Sequence, residues 1–110
     1  MPNVCVTAFA DGNIKTIEVE EWPDLDFIQE AVGGMFTEVP TSFRMEYDES
    51  WGDEAGVQET VVYCNEAGLL RGFKANATPI ARAINRELGE ELVGNILVVS
   101  GSPSFMALQD

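Results

Sequence analysis

Thr60-Val61-Val62-Tyr63-Cys64, followed at once by Asn65-Glu66-Ala67-Gly68, is the stretch whose reading decides the fold. Three β-branched residues and a tyrosine in a row, free of Gly and Pro, predict a strand. The short polar segment after it predicts a tight turn with Gly68 in the left-handed position, and residues 69–73 return as a partner strand. Further on, Thr78 is placed to cap a helix, with Pro79 in the first turn, where a missing N–H costs nothing. Ile80, Ile84 and Leu88 share one face of that helix, joined by Ala77 and Ala81, and Gly89 closes it. Ile96-Leu97-Val98-Val99 is continuously apolar and predicts a buried strand.

In the other direction, residues 43–47 and 35–39 read as short strands separated by Pro40. Leu25, Ile28 and Val32, with Phe27 and Ala31 beside them, give an amphipathic helix over 24–32, capped by Asp24 and stopped by Gly33-Gly34. Residues 3–10 and 14–20 read as strands around an Asp11-Gly12-Asn13 hairpin turn. The order is β-β-α-β-β-β-β-α-β. It predicts a single α+β domain over 1–110, with a core at 3–100, an acidic loop at 48–59 and a tail at 101–110. A curved, mostly antiparallel sheet with both helices on one face is the simplest way to bury them.

The chain has 110 residues, 45% of them apolar, and a net charge of −13. That is one domain's length with enough apolar matter for a core. The charge argues against binding nucleic acid through its phosphates and against anionic membrane surfaces. There is no histidine, which excludes His-based triads, His metal sites and His switches. The N-terminal Met-Pro-Asn-Val-Cys-Val lacks the basic and apolar parts of a signal peptide. No apolar run approaches the ~18–20 residues of a membrane span. The expectation is a cytoplasmic protein, in the host cytoplasm if viral, with Cys5 and Cys64 as reduced thiols.

The charge is lopsided. Residues 1–66 carry 15 acids against Lys15 and Arg44, a net of −13, while residues 67–110 are neutral. The acidic half reads as a solvated surface, as a surface for a basic partner, or as adaptation to high salt in a halophilic host. Within 67–86 stand four bases and no acid: Arg71, Lys74, Arg82 and Arg86. Together with Thr78 at a helix start they form a candidate site for a nucleotide-like anion. The alternative is that they pair with acids of the first half or sit in water, where such pairs contribute ~0–1 kcal/mol.

Other motifs lead nowhere. The acidic run 46–54 fails the EF-hand pattern, leaving only a loose divalent site to consider. The glycines make no dinucleotide or phosphate-loop fingerprint. No nucleophile elbow is present, and Cys64 has no histidine base. No catalytic residue, cofactor or metal is assigned. The enzyme alternative is a hydrolase that uses carboxylates and a divalent metal.

Ile28-Gln29-Glu30-Ala31-Val32-Gly33-Gly34-Met35-Phe36-Thr37-Glu38-Val39, with Cys64-Asn65-Glu66-Ala67-Gly68-Leu69, Asn76-Ala77-Thr78 and Gly94-Asn95-Ile96-Leu97-Val98-Val99, resembles an uncharacterised family of small domains found in phages and mobile elements. The resemblance covers roughly residues 24–100. It transfers no activity, but it implies a virus or mobile element acting inside a host cell. Asn65 and Glu66 are its most recognisable polar residues and suit a tight turn. If they belong to a site, Asn65, Glu66 and Asn76 join the bases near the second helix. The expected function is a non-enzymatic acidic binding module that meets a host protein with a basic surface. A small-anion binder is the alternative. A homodimer is expected through residues 101–110 and the exposed side of the last strand, because Phe105, Met106 and Leu108 need cover.

Overall fold

Asp11-Gly12-Asn13 turns the chain as the sequence predicts. Gly12 takes a positive φ of 100°, and Asp11 Oδ1 accepts from the Asn13 N–H at 3.0 Å. The turn joins β1 (Val4–Ala8) to β2 (Ile14–Glu18) as an antiparallel hairpin. The computed structural model describes residues 3–41, 43–47, 56–68 and 70–109, with the backbone alone at 44–47 and 56–58. The remaining described elements are α1 (Leu25–Val32), β3 (Phe36–Val39), β4 (Arg44–Tyr47), β5 (Gly56–Asn65), α2 (Pro79–Leu88), β6 (Ile96–Ser100) and α3 (Pro103–Met106).

The strands form one antiparallel sheet in the order β2-β1-β6-β5-β3, so the α+β class and the antiparallel sheet are as expected. β4 also pairs with β5, further along it. In the β3 pairing Phe36 faces Asn65 and Val39 faces Val62; in the β4 pairing Arg44 faces Glu59 and Tyr47 faces Gly56. β3 and β4 are thus one interrupted strand along β5, broken at Pro40, which has no N–H to donate. β6 reaches only to Thr60, opposite Ser100, so the β4–β5 ribbon extends past it. Residues 56–59, expected in the acidic loop, are therefore strand; residues 48–55 lie outside the described residues.

The expected strand at 69–73 is absent among the described residues 70–73. Both edges of β5 are already occupied, by β3 with β4 and by β6, so a returning strand has nowhere to pair. The chain coils instead: the Arg71 N–H donates to the Ala67 carbonyl at 2.9 Å and the Phe73 N–H to the Gly68 carbonyl at 3.0 Å. Gly68 is not left-handed. It is needed for close approach, since a Cβ there would lie 2.9 Å from Val93.

The expected placement of both helices on one face does not hold. Ala81 and Ile84 of α2 pack with Val4, Val6, Val62, Ile96 and Val98. Ile28 and Val32 of α1 pack with Cys5, Val61, Tyr63, Leu97 and Val99 on the opposite face. Along β6, side chains alternate between the two clusters, and all of its residues are buried. A continuously apolar central strand needs cover on both sides, and one helix on each side supplies it.

Both helices are capped as expected, by Asp24 with Gly33 and by Thr78 with Gly89. The tail folds back on its own sheet: Phe105 is buried against the α1 layer, and its ring lies 5.4 Å from that of Trp22. β6, lying between β1 and β5, has no free edge and no exposed side. The exposed side expected for the last strand is therefore not there, whereas Leu108 of the tail stays 54% exposed. Cys5 and Cys64 are free and contribute to opposite core layers, which rules out a bridge between them. No helix among the described residues is long and apolar enough to cross a membrane.

Candidate functional site

The polar members of the predicted cluster hold the fold together. Buried Asn76 donates through Nδ2 to the Ala8 carbonyl at 2.9 Å and to the Gly94 carbonyl at 2.8 Å. Its Oδ1 accepts from the Thr78 N–H at 3.0 Å and from the Thr78 hydroxyl at 2.6 Å. Thr78, fully buried, in turn accepts from the Ala81 N–H and starts α2. Asn65 donates to the Val32 carbonyl at the end of α1 and accepts from the Ala67 N–H, closing the turn after β5. Glu66 is exposed, and its backbone N–H donates to the Met35 carbonyl.

The bases do not share one concavity. Arg71 reaches the Gly33 carbonyl at the end of α1 and lies over the Phe73 ring, 5.2 Å from its centre. Arg82 and Arg86 stand on α2, across the sheet, beside a shallow depression that they line with Pro79 and Asn85. Lys74 is exposed and lines neither that depression nor the groove described below. Among the described residues no ion pair is seen at Arg71, Lys74, Arg82 or Arg86. Of the acidic run 46–54, considered for a divalent ion, residues 48–54 lie outside the described residues.

A different place gathers side chains from distant parts of the chain. A groove of about 650 Å³ runs between the start of α1, β3, β5 and the tail. Trp22, Phe36 and Tyr63 line it, with Leu25, Leu108, Asp24, Glu38 and Gln109 around them. Phe36 meets Tyr63 edge-on, with ring centres 5.2 Å apart at 80°. Leu25 and Leu108 are 64% and 54% exposed, so the groove offers apolar surface to solvent. Its charged members, Asp24 and Glu38, are both acidic, and exposed Glu20, Glu21 and Asp26 adjoin Trp22 and Leu25 in sequence. Gln109 Nε2 donates to Tyr63 Oη at 3.2 Å and to Glu38 Oε2 at 3.3 Å. Burial pushes the Tyr63 phenol above its ordinary pKa, outweighing the opposing hydrogen bonds from Gln109 and Trp22, so it stays neutral near pH 7.

A smaller cavity of about 270 Å³ lies between α1 and the β1–β2 hairpin, with Cys5, Ile17 and Phe27 in its wall and Lys15 and Glu30 also lining it. Burial pushes the Cys5 thiol up to about 11, which keeps it protonated and a poor nucleophile.

The groove is missed by a search for charged clusters, because its walls come from residues 22–38, 63 and 108–109. Its one local trace is Glu20-Glu21-Trp22-Pro23-Asp24, an aromatic residue set among acids and held by a proline. Comparison of the chain with family models, with curated proteins and with solved structures found no match.

Proposed function

We propose that the protein is a non-enzymatic binding module that engages a basic partner through the groove lined by Trp22, Phe36 and Tyr63. The observation that carries this proposal is the pairing of exposed apolar surface, Leu25 and Leu108, with a rim whose described charges are all acidic. Apolar and aromatic side chains at the centre of a contact supply most of its affinity. The surrounding acids speed encounter with a cationic partner and disfavour anionic ones. The absence of histidine and the protonated Cys5 support a binding role over catalysis. The resemblance to phage and mobile-element domains favours a host protein as that partner and the host cytoplasm as the compartment.

A short peptide of alternating lysine and leucine tests the proposal, titrated at about 0.15 M salt, where the Debye length is about 8 Å. Backbone amide shifts should centre on Trp22, Leu25, Phe36 and Leu108, and Leu25→Ala should weaken binding about tenfold, the effect of losing an anchor that contributes ~1–2 kcal/mol. Shifts scattered over every acidic residue and abolished by modest salt would show only non-specific attraction.

A further inference from the structure

Two acceptors from different strands converge on one nitrogen in the groove. Glu38 Oε2 comes from β3, Tyr63 Oη from β5, and Gln109 Nε2 sits 3.3 and 3.2 Å from them. The seat is asymmetric in chemistry: one acceptor is a carboxylate, the other a neutral phenol, and the present occupant is an uncharged amide. A charged donor makes the stronger hydrogen bond to a carboxylate. Phe36 and Trp22 line the same groove, and aromatic walls favour a cation over a neutral group.

The geometry also selects among cations. A guanidinium is a planar fork that prefers both oxygens of one carboxylate. Here single oxygens of two side chains meet at a point, which suits the compact, rotatable donors of an ammonium.

We propose that Glu38 and Tyr63 form the seat of a primary ammonium, a lysine side chain of the partner, and that Gln109 occupies this seat in the free protein and leaves it on binding. The proposal rests on the groove being the partner surface. Gln109 then acts as an internal competitor, and the apparent affinity falls by the fraction of molecules in which it fills the seat.

The experiment uses the whole chain and three blocked tripeptides with leucine at both ends and lysine, acetyl-lysine or arginine in the middle. The Gln109 side-chain amide and Trp22 indole signals are followed by NMR. The lysine peptide should shift both, with the acetyl-lysine peptide at least about tenfold weaker and arginine between them. Gln109→Ala should tighten the lysine peptide about threefold. Glu38→Gln, at an exposed position, should weaken it about tenfold. If all three peptides bind the groove alike, or Gln109→Ala leaves the affinity unchanged, the ammonium seat is wrong while the groove stands. If no peptide shifts a groove signal, both the seat and the groove proposal fall.

Discussion

Asn76 shows how much one side chain can join. Its four hydrogen bonds tie β1, the segment before β6 and the cap of α2, and it is only 4% exposed. Asn76→Ala would leave the Ala8 and Gly94 carbonyls without this donor and the Thr78 groups without their acceptor. The expected loss is about 3 kcal/mol, since each stranded buried polar group costs ~1–3 kcal/mol, read as a lower urea midpoint with an unchanged slope. Asn65, the last residue of β5, does similar work, donating to the Val32 carbonyl at the end of α1. For Asn65 a structural role was one of two readings open in the sequence, while Asn76 entered as part of a helix-entry motif and as a site candidate. Only their partners, 33 and 68 residues away, separate a fold staple from a ligand contact.

At the scale of elements, the capped helices and the hairpin turn were legible because their signals are local. An N-cap, a proline in the first turn and a closing glycine act within a few residues of one another. The strand expected at 69–73 fails for a non-local reason: β5 has no vacant edge. The helices divide between the two faces, and this has a measurable consequence. Ile28 and Ile84 are buried in separate layers with β6 between them. Ile28→Val and Ile84→Val should each cost about 1 kcal/mol. Combined, they should add within about 0.5 kcal/mol, as expected for sites without shared partners. A larger coupling in the double-mutant cycle would contradict the two-layer arrangement.

For the whole molecule, the two layers respond together to alkali. Burial raises the Cys5 thiol from 9.0 to about 11, and it raises Cys64 and Tyr63 in the same direction. All three are neutral when protonated, so folding favours the protonated forms. For Cys5 that contribution is fully present below about 9 and is lost as pH rises through about 11. Thermal unfolding should show a falling midpoint across that window, and Cys5→Ala should flatten the fall, whatever it does to stability at neutral pH. A midpoint with the same slope in the variant would place the alkaline sensitivity elsewhere.

By itself the sequence determined the α+β class, the Asp11-Gly12-Asn13 turn, the helix caps, the burial of residues 96–99 and the concentration of acid before residue 67. Each depends on residue type and short-range spacing, which physical chemistry reads directly. Tertiary structure alone decided that the helices lie on opposite faces, that the bases of 71–86 do not converge, and that Trp22, Phe36, Tyr63 and Gln109 meet in one groove. Those facts depend on strand order. With β6 in the centre and β3 at an edge, residues far apart in the chain become neighbours, and no local pattern encodes that pairing.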